Sequence, residues 1–138
     1  MIDLHSHILP QMDDGSRSVD ESLRMLAALA AQSVTEVAAT PHFYALENSP
    51  ERFLARRRHA WQQLAPRLTA SLPAVHLGAE VLYFEGIAGY EQLTQLCLTG
   101  TDTLLLEMPF HPWSRRMHDE LRELAARRDV TVLLAHME

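Results

Sequence analysis

His5 and His7 stand two residues apart in Asp3-Leu4-His5-Ser6-His7. On a strand, alternate side chains point the same way, so this pair can chelate one ion. Further along, His42 closes Ala39-Thr40-Pro41-His42 and Glu80 closes Leu77-Gly78-Ala79-Glu80. Glu107 ends Leu105-Leu106-Glu107, and His136 ends Leu134-Ala135-His136. Taken singly, each has an ordinary reading: a glutamate at a strand end is commonly solvated, and a histidine there often caps a helix. The repetition at successive strand ends argues for a metal centre. Imidazole and carboxylate without thiolate suit manganese, iron or zinc in a hydrolytic role rather than a structural zinc cage. The donors exceed what one ion needs, which implies two or three divalent ions, with Glu107 as the bridge. Such a centre lowers the pKa of bound water and clamps the oxygens of an in-line displacement.

These residues need strands to carry them. Short, mostly apolar runs at 2–5, 36–40, 74–78, 103–107 and 130–135 read as strands buried on both faces. Ser18 with Glu21 three residues on forms a capping box, after which Val19, Leu23, Leu26 and Ala30 recur at helical spacing. Ser49-Pro50 caps a second helix, whose inner face is expected to carry Leu54, Trp61 and Leu64 and which Pro66 should end near Ala65. Residues 118–128 set Leu121, Leu124 and Ala125 on one side of a third helix, and 90–98 reads as a weaker one. Alternation of strand and helix implies a parallel sheet with right-handed crossovers. In closed barrels of this kind the active site lies at the C-terminal strand ends. A full (β/α) barrel takes roughly 250 residues. The expectation for these 138 residues is therefore an incomplete barrel, read as one truncated unit without an internal boundary.

The formal charge of −6 argues against a nucleic-acid backbone or an acidic membrane as partner. Bound cations would still let an acidic protein hold a phosphate. A single cysteine, Cys97, rules out an intramolecular disulfide and makes a reducing cytoplasm the default. The opening Met1-Ile2-Asp3 lacks the pattern of a signal peptide, and the longest apolar run, 25–31, is too short to span a bilayer.

Other polar residues carry less. A cysteine phosphatase would pair its thiolate with an arginine six residues on, but that position after Cys97 is Thr103, so Cys97 reads as a small buried group. His59 and His118 read as helix surface, and His76 as structural. Arg56, Arg57 and Arg58 read as a solvated helix face paired to acids such as Glu51. His111, just past Glu107-Met108-Pro109-Phe110, and Arg115 and Arg116 after the fourth strand are candidates for touching a phosphate or an acidic peptide.

His5-Ser6-His7-Ile8-Leu9-Pro10, Asp13-Asp14-Gly15 and Ala39-Thr40-Pro41-His42 resemble the opening of the PHP (polymerase and histidinol phosphatase) superfamily. Within it they most resemble the bacterial CpsB/CapC/YwqE type of manganese-dependent tyrosine-protein phosphatase. The resemblance continues through Gly78-Ala79-Glu80, Leu106-Glu107-Met108-Pro109-Phe110 and Leu134-Ala135-His136. It implies a distorted (β/α)₇ barrel, of which five βα strands would be present here, and a three-metal site. Carried over by motif, the ligands would be His5, His7, Asp14, His42, Glu80, Glu107 and His136. Asp14 is preferred to Asp13 because it adjoins the glycine. Asp13, Glu107 and His136 would serve catalysis, Asp13 by holding the loop or handling protons, while His111, Arg115 and Arg116 would meet substrate.

The implied substrate is the phosphotyrosine tail of a bacterial tyrosine autokinase controlling capsule or exopolysaccharide export. The implied setting is cytoplasmic, at the inner membrane face and without membrane insertion. Where the family reads Ala-His-Pro-Glu-Arg, this chain reads Ala135-His136-Met137-Glu138, without the phosphate-binding arginine and the later Asp-x-His motif. An incomplete ligand set is the corresponding expectation. Two rival readings are a small-molecule phosphate monoesterase, such as one acting on histidinol phosphate, and an inactive metal-binding module. Open strand edges would make a homo-oligomer.

Overall fold

The apolar runs become strands, and the amphipathic stretches between them become helices. The computed structural model describes residues 1–136, so Met137, expected to replace the family's proline, and Glu138 lie outside it. The elements are β1 (Ile2–Ser6), α1 (Val19–Ala31), β2 (Glu36–Ala39), β3 (His42–Phe43), α2 (Pro50–Leu64), β4 (Ala74–Leu77), β5 (Glu80–Leu82), β6 (Thr103–Glu107), α3 (Arg115–Ala125) and β7 (Thr131–Ala135). Every described ladder is parallel.

Two of the expected strands end one residue early, and each is followed, after a break, by a second short strand that was not expected. The run 36–40 stops at Ala39, and Thr40-Pro41 intervenes before β3. The run 74–78 stops at Leu77, and Gly78-Ala79 intervenes before β5. Pro41 has no N–H to give a ladder, and Gly78 has no side chain to pack, so both are natural break points. The result is a sheet ordered β1-β2-β4 and another ordered β3-β5-β6-β7. Backbone bonds stitch the breaks: Thr40 N donates to Ser6 O at 2.8 Å, Gly78 N to Ala39 O at 2.8 Å, and Glu80 N to Pro41 O at 3.0 Å. The upper segments begin with His42 and Glu80, which are Cα partners in the ladder. Strand β1 is irregular too, because Asp3 faces Val37 but Ser6 faces Ala39, setting an extra residue into β1.

Helix α1 starts as expected, the Ser18 hydroxyl accepting from Glu21 N, and Ser49 caps α2 in the same way through Arg52 N. The third helix begins earlier than 118, because Ser114 caps it by accepting from Met117 N, and it ends at Ala125, earlier than 128. Its buried positions are Glu120 and Leu124, so Ala125 is not part of the inner face. The weak helix at 90–98 is a 3₁₀ turn, Glu91–Leu96. On α2 the buried positions are Pro50, Phe53, Arg57, Ala60 and Leu64, with the expected Leu54 and Trp61 half-buried against the core beside them. Phe53 packs edge-on against Phe43 of β3 with ring centroids 5.3 Å apart, and that contact sets the rotation of the helix. It also turns Arg57 inward, which corrects the reading of Arg56–Arg58 as a uniformly solvated run. The core joins Ile8, Leu9, Leu26, Phe43, Phe53, Leu64, Leu104, Leu106 and Leu124, each fully buried. Burial of each such side chain is worth about 1.5–3 kcal/mol.

Candidate metal centre

Glu80, the first residue of β5, is 0% exposed and lies at the middle of a ring of histidines. Its Oε2 faces His5 Nε2 at 2.9 Å, His7 Nε2 at 3.1 Å and His42 Nδ1 at 3.2 Å. Its Oε1 faces His136 Nε2 at 3.2 Å. Despite these approaches, both Glu80 oxygens and His42 Nδ1 are buried without an aligned hydrogen bond. The Nε2 atoms of His5 and His7 also face each other at 3.2 Å. Buried acceptors are normally satisfied. Lone pairs converging from several residues on one carboxylate are the donor set a divalent cation requires, so the residues fit the ions that their chemistry implied.

The loop after β1 sets the orientation of His7. Its Nδ1–H donates to Asp13 Oδ2 at 2.8 Å, leaving Nε2 for the centre, as a carboxylate behind a ligating histidine does. Asp13 is itself clamped, accepting from His42 N at 3.0 Å and Gly15 N at 3.0 Å. Gly15 lets the loop fold onto His7, since a Cβ there would collide with the His7 carbonyl oxygen. The Asp13 carboxylate, which accepts from His7 Nδ1–H, and the facing Glu80 carboxylate push the His7 pKa up to about 10. Burial works to raise Asp13, but the His7 imidazole and the two backbone N–H groups hold it below its usual value. Glu80 is likewise held well below the carboxylate range, burial being overcome by the facing His5 and His7 imidazoles and the charge of His42.

Three sets of donor atoms lie within 4.8 Å of one another: His5, His7 and Glu80; His42, Glu80 and Glu107; and His7, Asp13, Asp14 and His42. Glu80 belongs to two of these sets and Glu107 to one. Glu107 Oε2 stands 3.7 Å from His42 Nδ1. Asp14 is 85% exposed, with Oδ1 3.7 Å from His42 Nε2. His136 closes the ring, its imidazole centroid 4.9 Å from that of His5.

The remaining candidates divide. His111 is exposed, with Nδ1–H donating to Pro112 O at 3.0 Å, and shares a cleft with Phe110, Trp113, His118 and His136. Arg115 pairs with Asp119, and Arg116 pairs with Glu85 and Glu120, so neither touches the cluster. His76 pairs with Glu36 and His59 contacts Gln63, both at the surface. Cys97 is buried, and burial together with Asp102 and Asp129 pushes its thiol up to about 11, which removes it as a nucleophile. Two residues at the mouth were missed. Tyr44 stacks on His42 at 5.3 Å and 16°. Arg56 lines the same cleft as Asp13, Asp14 and His42. Tyr44 carried a signal, because it lies two residues after His42 just as His7 lies two after His5; Arg56 stood only in a charge run.

A family model described as "Capsular polysaccharide synthesis, CpsB/CapC" matches residues 1–138. Tyrosine-protein phosphatase YwqE of Bacillus subtilis is 36% identical over 115 residues, which is 80% of this chain and 44% of that protein. Tyrosine-protein phosphatase CpsB of Streptococcus pneumoniae is 29% identical over 140 residues, covering 100% of this chain and 57% of CpsB. A solved structure described under "Crystal structures of YwqE from Bacillus subtilis and CpsB from Streptococcus pneumoniae, unique metal-dependent tyrosine phosphatases" matches with TM-score 0.80 and 29% identity, over 99% of this chain and 55% of that one. The chain spans about half the length of the curated relatives it matches.

Proposed function

Because the chain belongs to the CpsB/CapC family of capsular polysaccharide synthesis, we propose that it carries the metal centre of a phosphatase acting on phosphotyrosine in protein. Residues 1–138 would form the N-terminal part of one PHP-type domain. The observation that carries the reading is Glu80, fully buried, with both oxygens ringed by imidazoles and unmatched by hydrogen bonds.

His5, His7, Glu80 and His136 would hold one ion; His42, Glu80 and Glu107 would hold a second, with Asp14 at the rim. Manganese is the proposed metal, in two or three copies, with iron or zinc as substitutes. Bound divalent ions would supply an acidified water and offset charge on the transferred phosphoryl group. The chain's own part is positional. Asp13 fixes the His7 ring and holds the loop under His42, and so stands in a catalytic supporting role with Glu107 and His136. His111, on the cleft wall shared with His136, is the substrate contact best supported by geometry; Arg115 and Arg116 would serve only through long-range steering.

The proposed substrate is the phosphotyrosine tail of a bacterial tyrosine autokinase in capsule or exopolysaccharide export, met in the cytoplasm. Among the described residues no helix is long and apolar enough to cross a membrane. Phosphate release from a phosphotyrosine peptide, with Mn²⁺ against chelator, tests the reading beside histidinol phosphate as competitor substrate. Release from the peptide that needs Mn²⁺ and disappears in a His5→Ala, His7→Ala variant is expected. Preferential turnover of histidinol phosphate, or release indifferent to chelator, would contradict it.

A further inference from the structure

Helix α2 contributes no metal-ligand candidate, yet it holds two segments that do. Arg57 is buried at 8% exposure, and among the described residues no carboxylate pairs with it. Its Nη1 donates to the Gly78 carbonyl at 2.6 Å, and its guanidinium lies 5.7 Å from the Phe53 ring centroid. A buried cation without an acid partner is costly, and an arginine remains charged at any ordinary pH. Such a group persists where its geometry is needed. Gly78 stands in the break between β4 and β5, two residues before Glu80. Its own surroundings are tight, with an added Cβ meeting Thr40 Cγ2 at 3.3 Å.

Arg56, the next residue, turns away from the core and donates from Nη2 to the Met12 carbonyl at 3.0 Å. Met12 immediately precedes Asp13, which orients His7 and binds His42 N. Adjacent residues of a helix point about 100° apart, so one helix reaches two separate segments at once. Phe53, one turn before Arg57, packs on Phe43, the neighbour of His42.

We propose that Arg56 and Arg57 are a positioning pair, which fixes the Asp13 loop and the Glu80 strand break relative to each other and thereby sets the spacing of the metal donors. This rests on the metal reading above. The pair acts through backbone carbonyls, not on substrate. An interaction behind the ligands of this type changes metal affinity by about 10- to 100-fold when removed.

The test is a Mn²⁺ titration by calorimetry of the 138-residue chain and its Arg57→Met, Arg57→Lys and Arg56→Met forms. Electron paramagnetic resonance of the bound Mn²⁺ and the melting temperature of the metal-free protein are measured alongside. The expected result is Mn²⁺ binding weakened about 10- to 100-fold in Arg57→Met, with partial recovery in Arg57→Lys. The signature of coupled Mn²⁺ ions should fade in Arg57→Met and Arg56→Met while the metal-free fold is kept. Should Arg57→Met not fold, Arg57→Lys and the exposed Arg56→Met carry the same comparison. Variants that bind Mn²⁺ with the parent's affinity and spectrum would overturn the positioning role and leave the metal reading standing. A parent that binds no Mn²⁺ would overturn both.

Discussion

At the scale of the residue, His7 determines how the centre responds to pH. Its pKa is raised from 6.5 to about 10 by Asp13 and Glu80, so in the metal-free protein the ring is charged at pH 7. The sign follows from linkage: a raised folded-state pKa gives stability that is complete below the unfolded value and is lost as pH climbs through about 10. The metal-free melting temperature should therefore fall between pH 7 and 10, and less so in His7→Gln. An ion that takes His7 Nε2 must displace a proton, since Nδ1–H stays on Asp13. Calorimetry in buffers of different ionisation enthalpy should show proton release at pH 7 on Mn²⁺ binding, with affinity rising as pH rises. Proton-neutral binding would show that His7 is not a ligand.

At the scale of the element, the breaks in the wall matter more than its length. Gly15 is the tightest of the glycine positions, because a Cβ there would collide with the His7 carbonyl oxygen and side chain. Gly15→Ala must push the loop off β1, at a cost of about 1–3 kcal/mol. It should also weaken Mn²⁺ binding, because Asp13 moves with the loop. Chemical denaturation read beside a Mn²⁺ titration checks both, and an unchanged pair would refute the loop geometry. The strand-end histidines and glutamates were legible in the sequence because each follows a short apolar run. The caps Ser18 and Ser49 were legible because their hydroxyls have one local use. The breaks at Thr40-Pro41 and Gly78-Ala79 were not, since an apolar run does not say where its ladder changes partner. Nor was the inward turn of Arg57, which depends on Phe53 meeting Phe43, a tertiary contact that neither residue's local pattern encodes. The roles of Glu80 and Glu107 were interchangeable by spacing; only the convergence of imidazoles on Glu80 separates them.

At the scale of the whole molecule, β1 and β7 pair on one side only among the described residues. Leu4 and Leu133, on these two strands, are 47% and 37% exposed. Unpaired strand edges bearing apolar side chains favour association. We expect the 138-residue chain to be a homo-oligomer, measured as a multiple of the 15.6 kDa protomer by light scattering. A strictly protomeric mass at working concentrations would contradict that expectation. Replacing Leu4 and Leu133 with lysine should shift the mass toward the protomer.

Crystals grown with Mn²⁺ test, through anomalous scattering, whether Glu80 is a shared metal ligand. More than one peak is expected, with at least one at coordination distance from a Glu80 oxygen, roughly 2.0–2.3 Å, and from His5, His7 or His42. Full Mn²⁺ saturation with no peak at Glu80, its carboxylate still facing bare imidazoles, would contradict it.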